Sequence, residues 1–382
     1  MSQSESEGRA PTAGEGESPQ LKPRRRRKVA LNAAVLLISL AGALLVAEFF
    51  ASRVLSRPGP RTVEAHFRQP QLIYNSLGFR DFEYPEEKLP KQFRIFAVGD
   101  SFTQGGGVNF DDTYPKKLER YLNYMGNIEK ITYQVMNLGM PGRSTNQEVE
   151  LIKEQAVKFD PDLIILGYCL NDAENRGGMN EVNAMRDRLT VRHFQKGSGL
   201  AGFLYDRSAL YRLISHRAFN YRTFRGQIQY YQWLYQEEYS GWRLTREALR
   251  ELGEFSLSEG IPVIVMIFPL FSFGLDETYP FKDIHGRLHE VLDTAQLSWI
   301  DLFDVYSGLD RNILETVPFD DAHPSDTAHR IAAEVLWHHL ISEKLVPSDR
   351  DLTYPKKGRN VPSPFVGNFF SRGRFFRKQD HP

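Results

Sequence analysis

The stretch "FRIFAVGDSFTQGGGV" (residues 93–108) decides how the rest of the chain is read. It begins as a short apolar run closed by glycine, the pattern of a strand buried on both faces. Gly99-Asp100-Ser101 follows, and then three consecutive glycines. A phosphate-cradling loop needs G-x-x-x-x-G-K-[ST], with the lysine meeting the phosphates. Here five residues separate Gly99 from Gly105 and no lysine follows, and "GGGVNF" is not G-x-G-x-x-G either. The glycines therefore serve backbone freedom rather than a nucleotide. What remains is Ser101 at the carboxyl end of a strand, the edge where open parallel sheets build their sites.

Outward from this strand the chain alternates. Strand patterns recur at 131–139, 162–169, 261–269 and 298–306, and helical spacing appears at 113–125, 146–159, 246–260, 281–296 and 326–345. Five apolar strands separated by helices predict a parallel sheet covered on both faces. Residues 74–90, with a Gly turn and two prolines, are expected to form an ordered lead-in.

The 48 basic residues balance 48 acidic ones, so bulk charge gives no argument for nucleic-acid binding. Cys169 is the single cysteine and excludes an intrachain disulfide. The charge is uneven: "PRRRRK" (23–28) runs straight into an uncharged apolar stretch at 29–47. As a helix that stretch reaches about 28 Å, enough to cross the hydrocarbon of a bilayer. A cleaved signal peptide is the rival reading, but its apolar part is usually shorter, and "VAEFFASR" offers only a poor cleavage site. The expectation is an uncleaved anchor with the N-terminus cytoplasmic and the remainder across the membrane, periplasmic in a Gram-negative cell. Residues 1–28 then form a cytoplasmic tail, disordered over its Ser/Glu/Gly/Pro-rich first 22 residues. Residues 29–50 form the anchor, 51–92 a linker and lead-in, 93–345 the main domain and 346–382 a basic tail interleaved with Phe.

A serine nucleophile needs a base, and the base needs an orienting partner. The best candidate lies in "FDDAHPSDTAH", after the last strand: His323, with Asp320 three residues before it. The plainer reading is a helix N-terminus capped by Ser325 or Asp326. Two other carboxyl-end loops, "NLGMPGRST" (137–145) and "LGYCLNDAEN" (166–175), can supply donors for an oxyanion. Gly142 has no side chain to block its N–H, Asn171 carries an amide, and the Ser101 N–H is a third donor.

Four blocks thus occur in order: "GDSFT" at 99–103, "NLGMPG" at 137–142, "GYCLND" at 167–172 and "DDAH" at 320–323. On these blocks the chain resembles the SGNH hydrolases, the GDSL-type esterases and lipases, over about residues 93–345. The resemblance implies a flavodoxin-like three-layer α/β/α sandwich with a five-stranded parallel sheet in the order 2-1-3-4-5. It implies Ser101 as nucleophile, His323 as general base and Asp320 as the triad acid, with adjacent Asp321 fitting the Asp-x-x-His spacing less well. Gly142 and Asn171 would join Ser101 in the oxyanion hole. No metal or organic cofactor is implied.

The expected function is cleavage of carboxylic esters through an acyl-enzyme, on a lipid, an acylated glycan or a small ester. The alternatives are an O-acetyltransferase acting on an exported polysaccharide and a non-catalytic glycan- or partner-binding protein. Residues 173–245 exceed a normal crossover, and eleven aromatics fall within 205–242. They suit either packing helices or a binding wall for substrate. His285 and His289 are four apart on a helix but lack the H-E-x-x-H pattern, and are expected on a solvated face. Cys169 is expected to be a small core residue.

Overall fold

The five apolar runs become one parallel sheet in the order β2-β1-β3-β4-β5. The structure is a computed structural model that describes residues 23–56, 73–124, 131–189, 197–316 and 323–348. The Ser/Glu/Gly/Pro-rich segment 1–22, the linker at 57–72 and the basic tail from 349 onward lie outside the described residues.

The strands are β1 (Gln92–Gly99), β2 (Thr132–Gly139), β3 (Leu163–Cys169), β4 (Val263–Phe268) and β5 (Ser298–Asp301). The helices are α1 (Pro23–Ser56), α2 (Ser101–Gln104), α3 (Tyr114–Tyr124), α4 (Thr145–Phe159), α5 (Met179–Leu189) and α6 (Gly199–Arg207). They continue with α7 (Ala209–Leu234), α8 (Ser240–Glu259), α9 (Lys282–Thr294), α10 (Leu302–Tyr306), α11 (Arg311–Leu314) and α12 (Asp326–Ser342). Every residue of β3 and β4 is buried, which is why they read as unbroken apolar runs rather than as alternation. Each fully buried Ile, Leu or Val there contributes about 1.5–3 kcal/mol of transfer free energy.

Topology follows from handedness. The step from β1 to β2 through α3 runs in one direction along the sheet, and β2 to β3 through α4 runs in the other. Right-handed crossovers then place α3 and α4 on opposite faces. The helices group accordingly, α3 against α12, and α4 against α8 with α9 beyond it. The chain reverses at β1, so the crevice at the end of β1 is the switch point of the sheet.

The chain divides into two compact units. Residues 62–193 and 219–382 include the sheet and the residues discussed at its edge; 1–61 and 194–218 include α1 and α6. Within the second of these, Arg27–Leu55 of α1 is long and apolar enough to cross a membrane, its most apolar 18-residue window having a mean hydropathy of 2.5.

Three expectations need correction or completion. The run 298–306 is a strand only to Asp301; there the Asp301 side chain accepts the Phe303 N–H and caps α10, so the apolar residues that follow are helical. The insertion's aromatics divide: Tyr230, Tyr235, Tyr239 and Trp242 are buried in the core, with Tyr235 Oη 2.7 Å from Tyr168 Oη and donating to the Leu170 carbonyl at 3.0 Å. For these four the packing reading holds. His285 and His289 do not lie on a solvated face. His285 is buried, and both imidazoles bond Asp301 Oδ2 at 2.8 Å, because β5 runs beside α9 and ends at that carboxylate. Cys169 is fully buried, as expected of a core residue.

Candidate active site

Ser101 begins α2 directly off β1. Asp100, the N-cap, accepts the Phe102 N–H at 2.8 Å, and so turns the chain from strand to helix at the serine. Gly139 at the end of β2 makes this turn possible, since a Cβ there would lie 2.2 Å from the Gln104 nitrogen. The "NLG" block is therefore, in part, a surface on which α2 rests.

His323 reaches the same point from the far end of the chain. An antiparallel bridge between Glu315 and Pro324 clips its loop, with the Thr316 N–H donating to the His323 carbonyl at 3.0 Å. Ser325 then caps α12 by accepting the Ala328 N–H. The helix cap expected here is Ser325, and His323 lies two residues before it. The outcome is His323 Nε2 at 2.9 Å from Ser101 Oγ, across 222 residues of sequence. The imidazole is tilted against the Phe102 ring, 5.4 Å between centroids. Both residues are half-buried, so the hydroxyl is held and still reachable. Asp320 and Asp321 lie outside the described residues.

Asn171, in the 3-10 turn after β3, donates Nδ2–H to Asp100 Oδ2 at 2.9 Å. An amide nitrogen carries two hydrogens, and this bond uses one of them. Gly142 sits exposed in the loop after β2 with φ +74°, a conformation that other residues adopt only with strain. The structure thus brings Ser101, His323 and Asn171 into one hydrogen-bonded group through Asp100. It places Gly142 in the loop that follows the neighbouring strand.

Electrostatics around this group are set by burial. Burial pushes the Asp100 carboxyl up, opposed by the bonds from Phe102 and Asn171 and by the nearby His323. Glu148 and Asp172, both fully buried, are pushed well above the usual carboxylate range, first by burial and then by neighbouring carboxylates. Burial also raises the Cys169 thiol well above its ordinary value, which disfavours the reactive thiolate. His329, six residues after His323, is a different case. It accepts the Tyr114 N–H at Nδ1 and burial lowers it to about 3, so it is a neutral core residue. Among the described residues no group of three or more His, Cys, Asp or Glu side chains is arranged to hold a metal ion.

Several supporting residues carry no signal in the sequence. Arg80, in the lead-in, is buried and donates to the carbonyls of Gly105 at 2.6 Å and Val108 at 2.8 Å. It fastens the glycine loop that follows Ser101. Its neighbour Asp81 accepts the Asn137 N–H at 2.6 Å and pairs with Lys116 at 2.8 Å. The glycines acquire a purpose from the same geometry. A Cβ on Gly106 would stand 3.3 Å from His323 Cδ2, so the bare backbone leaves room for the imidazole.

The profile of the GDSL-like Lipase/Acylhydrolase family matches residues 97–331. No curated protein matches the chain significantly. Among solved structures the chain is similar to TesA, at 13% identity and a TM-score of 0.40, covering 66% of this chain and 99% of that one. It is similar to a variant of Axe2, an acetyl xylan esterase from Geobacillus stearothermophilus, at 16% identity and a TM-score of 0.40, covering 66% and 97%. It is also similar to CEX, a two-domain esterase active on acetylated mannans, at 14% identity and a TM-score of 0.39, covering 69% of this chain and 52% of that one.

Proposed function

The chain belongs to the GDSL-like lipase/acylhydrolase family, and we propose that it is a membrane-anchored serine esterase in which Ser101 and His323 carry the chemistry. The observation that supports this most is the 2.9 Å bond between Ser101 Oγ and His323 Nε2. A hydroxyl is a weak nucleophile until a base within hydrogen-bond reach takes its proton.

In this reading Ser101 Oγ attacks the ester carbonyl as His323 removes its proton. The tetrahedral oxyanion is met by the Ser101 N–H, the Gly142 N–H and the free hydrogen of the Asn171 amide, donors fixed before the charge develops. Asp100 holds Asn171 in place through the 2.9 Å bond. His323 then protonates the leaving alcohol. Water, deprotonated by the same imidazole, releases the acid from Ser101. Asp320 is assigned the role of orienting the imidazole and stabilising its positive charge.

The location in this reading rests on the amino-terminal helix. Its apolar segment Arg27–Leu55 is the proposed anchor, and the arginines at 24–27 support a cytoplasmic amino terminus with the catalytic unit on the other side. The substrate in this reading is an acylated lipid, glycan or small ester reached on that side.

Fluorophosphonate labelling tests the chemistry. The wild-type chain should label and Ser101→Ala should not; equal labelling of both would sink the proposal. With an acylated substrate and a sugar acceptor present, free acid as the main product supports hydrolysis. Acyl sugar without excess acid would replace hydrolysis with transfer.

A further inference from the structure

Glu48 is the one charged residue between Lys28 and Arg53. Its carboxylate accepts hydrogen bonds from Ser208 Oγ at 2.7 Å, from the Ala209 N–H at 2.5 Å and from the Leu210 N–H at 3.0 Å. Those two N–H groups open α7, so Glu48 caps that helix from a distant part of the chain, where the helix dipole favours a negative charge. Ser208 Oγ accepts the Tyr211 N–H in turn, and Arg212 closes the corner by donating to the Tyr205 carbonyl at 2.9 Å. The α6–α7 corner is therefore fixed to the point where the apolar run of α1 ends.

What this corner turns outward is mainly apolar and basic, with Asp206 its one exposed acidic residue. Leu200, Phe203 and Ile214 are 74%, 59% and 58% exposed. Arg207 lies over the Phe203 ring at 5.8 Å, and Arg207 and Arg217 are both exposed. Large apolar side chains rimmed by arginines make up the lipid-facing side of helices that lie in a headgroup layer. Depth agrees with composition. The uncharged run 29–47 spans about 28 Å as a helix, close to the full hydrocarbon thickness, which sets Glu48 at the boundary with the headgroups. A carboxylate at that depth is costly unless donors meet it, and three do.

We propose that α6 and the first turns of α7 form a second membrane contact, lying in the headgroup layer on the far side from the amino terminus. Leu200 and Phe203 enter the acyl boundary, and Arg207 and Arg217 meet lipid phosphates. The proposal rests on α1 being the membrane span. Its consequence is that the chain meets the bilayer at two places, α1 and the α6–α7 corner.

Depth-resolved quenching tests this. Cys169 is fully buried, so a fluorophore on full-length Phe203→Cys reports one site. The chain is placed in phosphatidylcholine–phosphatidylglycerol vesicles containing lipids brominated near the headgroup or near the chain ends. Leu37→Cys, inside α1, and Val157→Cys, 88% exposed on α4, are the references. Position 203 should lose roughly twofold in emission with shallow bromines and position 37 with deep ones, while position 157 is unchanged. Arg207→Glu with Arg217→Glu should weaken the quenching at 203 in phosphatidylglycerol vesicles more than in pure phosphatidylcholine. No quenching at 203 with quenching retained at 37 overturns the second contact and leaves the span standing. No quenching at either position overturns both. An unchanged response of the double arginine variant overturns the role given to phosphate headgroups.

Discussion

Histidine stands in two clusters at one edge of the sheet, one half-exposed beside a serine hydroxyl and one closed around a buried carboxylate. At the end of β1, His323 Nε2 meets Ser101 Oγ, and both groups are half-exposed. At the end of β5, His285 and His289 both bond Asp301 Oδ2 at 2.8 Å, while Oδ1 accepts the Phe303 N–H. His289 is also stacked on Trp299 at 3.9 Å between centroids. The second cluster has two imidazoles and a carboxylate, but both carboxylate oxygens are occupied and His285 and Asp301 are buried. Residue type alone does not make a site. Access and an unspent nucleophile do.

The comparison breaks most sharply at the first cluster. His323→Ala is expected to lower kcat by about 10⁴-fold or more on a short-chain p-nitrophenyl ester, since the hydroxyl loses its base. Its melting temperature should stay near that of the wild type. A modest loss of rate would place the base elsewhere.

The second cluster should give the reverse pattern. Asp301→Asn removes a buried charge from beside two imidazoles and is expected to cost about 3 kcal/mol of stability. Well below the melting temperature kcat should be preserved. Burial alone would raise the Asp301 carboxyl, but the charges and hydrogen bonds of His285 and His289 outweigh it and hold it well below the usual range. A depressed carboxylate contributes stability above its unfolded pKa of about 3.9, and loses it as pH falls through the folded value. The difference between wild type and Asp301→Asn in urea melts should therefore be full at neutral pH and shrink below about pH 4. A difference that grows in acid would reverse the assignment.

The finest test concerns the space around His323. Gly106→Ala adds a methyl 3.3 Å from the imidazole Cδ2. A small displacement of the base should lower kcat by roughly tenfold with KM little changed, because the geometry of attack is what it disturbs. Unchanged kcat would mean that the loop gives way instead.

The elements were legible in the sequence to different degrees, for reasons of local chemistry. β3 and β4 could be read because a strand buried on both faces must be apolar throughout. The strand pattern at 298–306 outruns β5 because apolar residues continue into α10, and only the cap at Asp301 marks the break. Ser101 and His323 could be paired because both follow strands. Arg80, Asp81 and Asp100 could not, since a buried charge looks like any surface charge until its partners are known. The histidine pair on α9 failed for the same reason, its carboxylate lying on another element.

Periodicity and block order in the sequence determined the strand sequence and the family resemblance, and singled out Ser101 as the proposed nucleophile, because these depend on neighbours along the chain. The tertiary structure decided which polar groups are spent and which are free. That depends on burial and on partners up to 222 residues away. It is why Asp301 is closed by two imidazoles, why Arg80 holds the glycine loop, and why Ser101 meets His323.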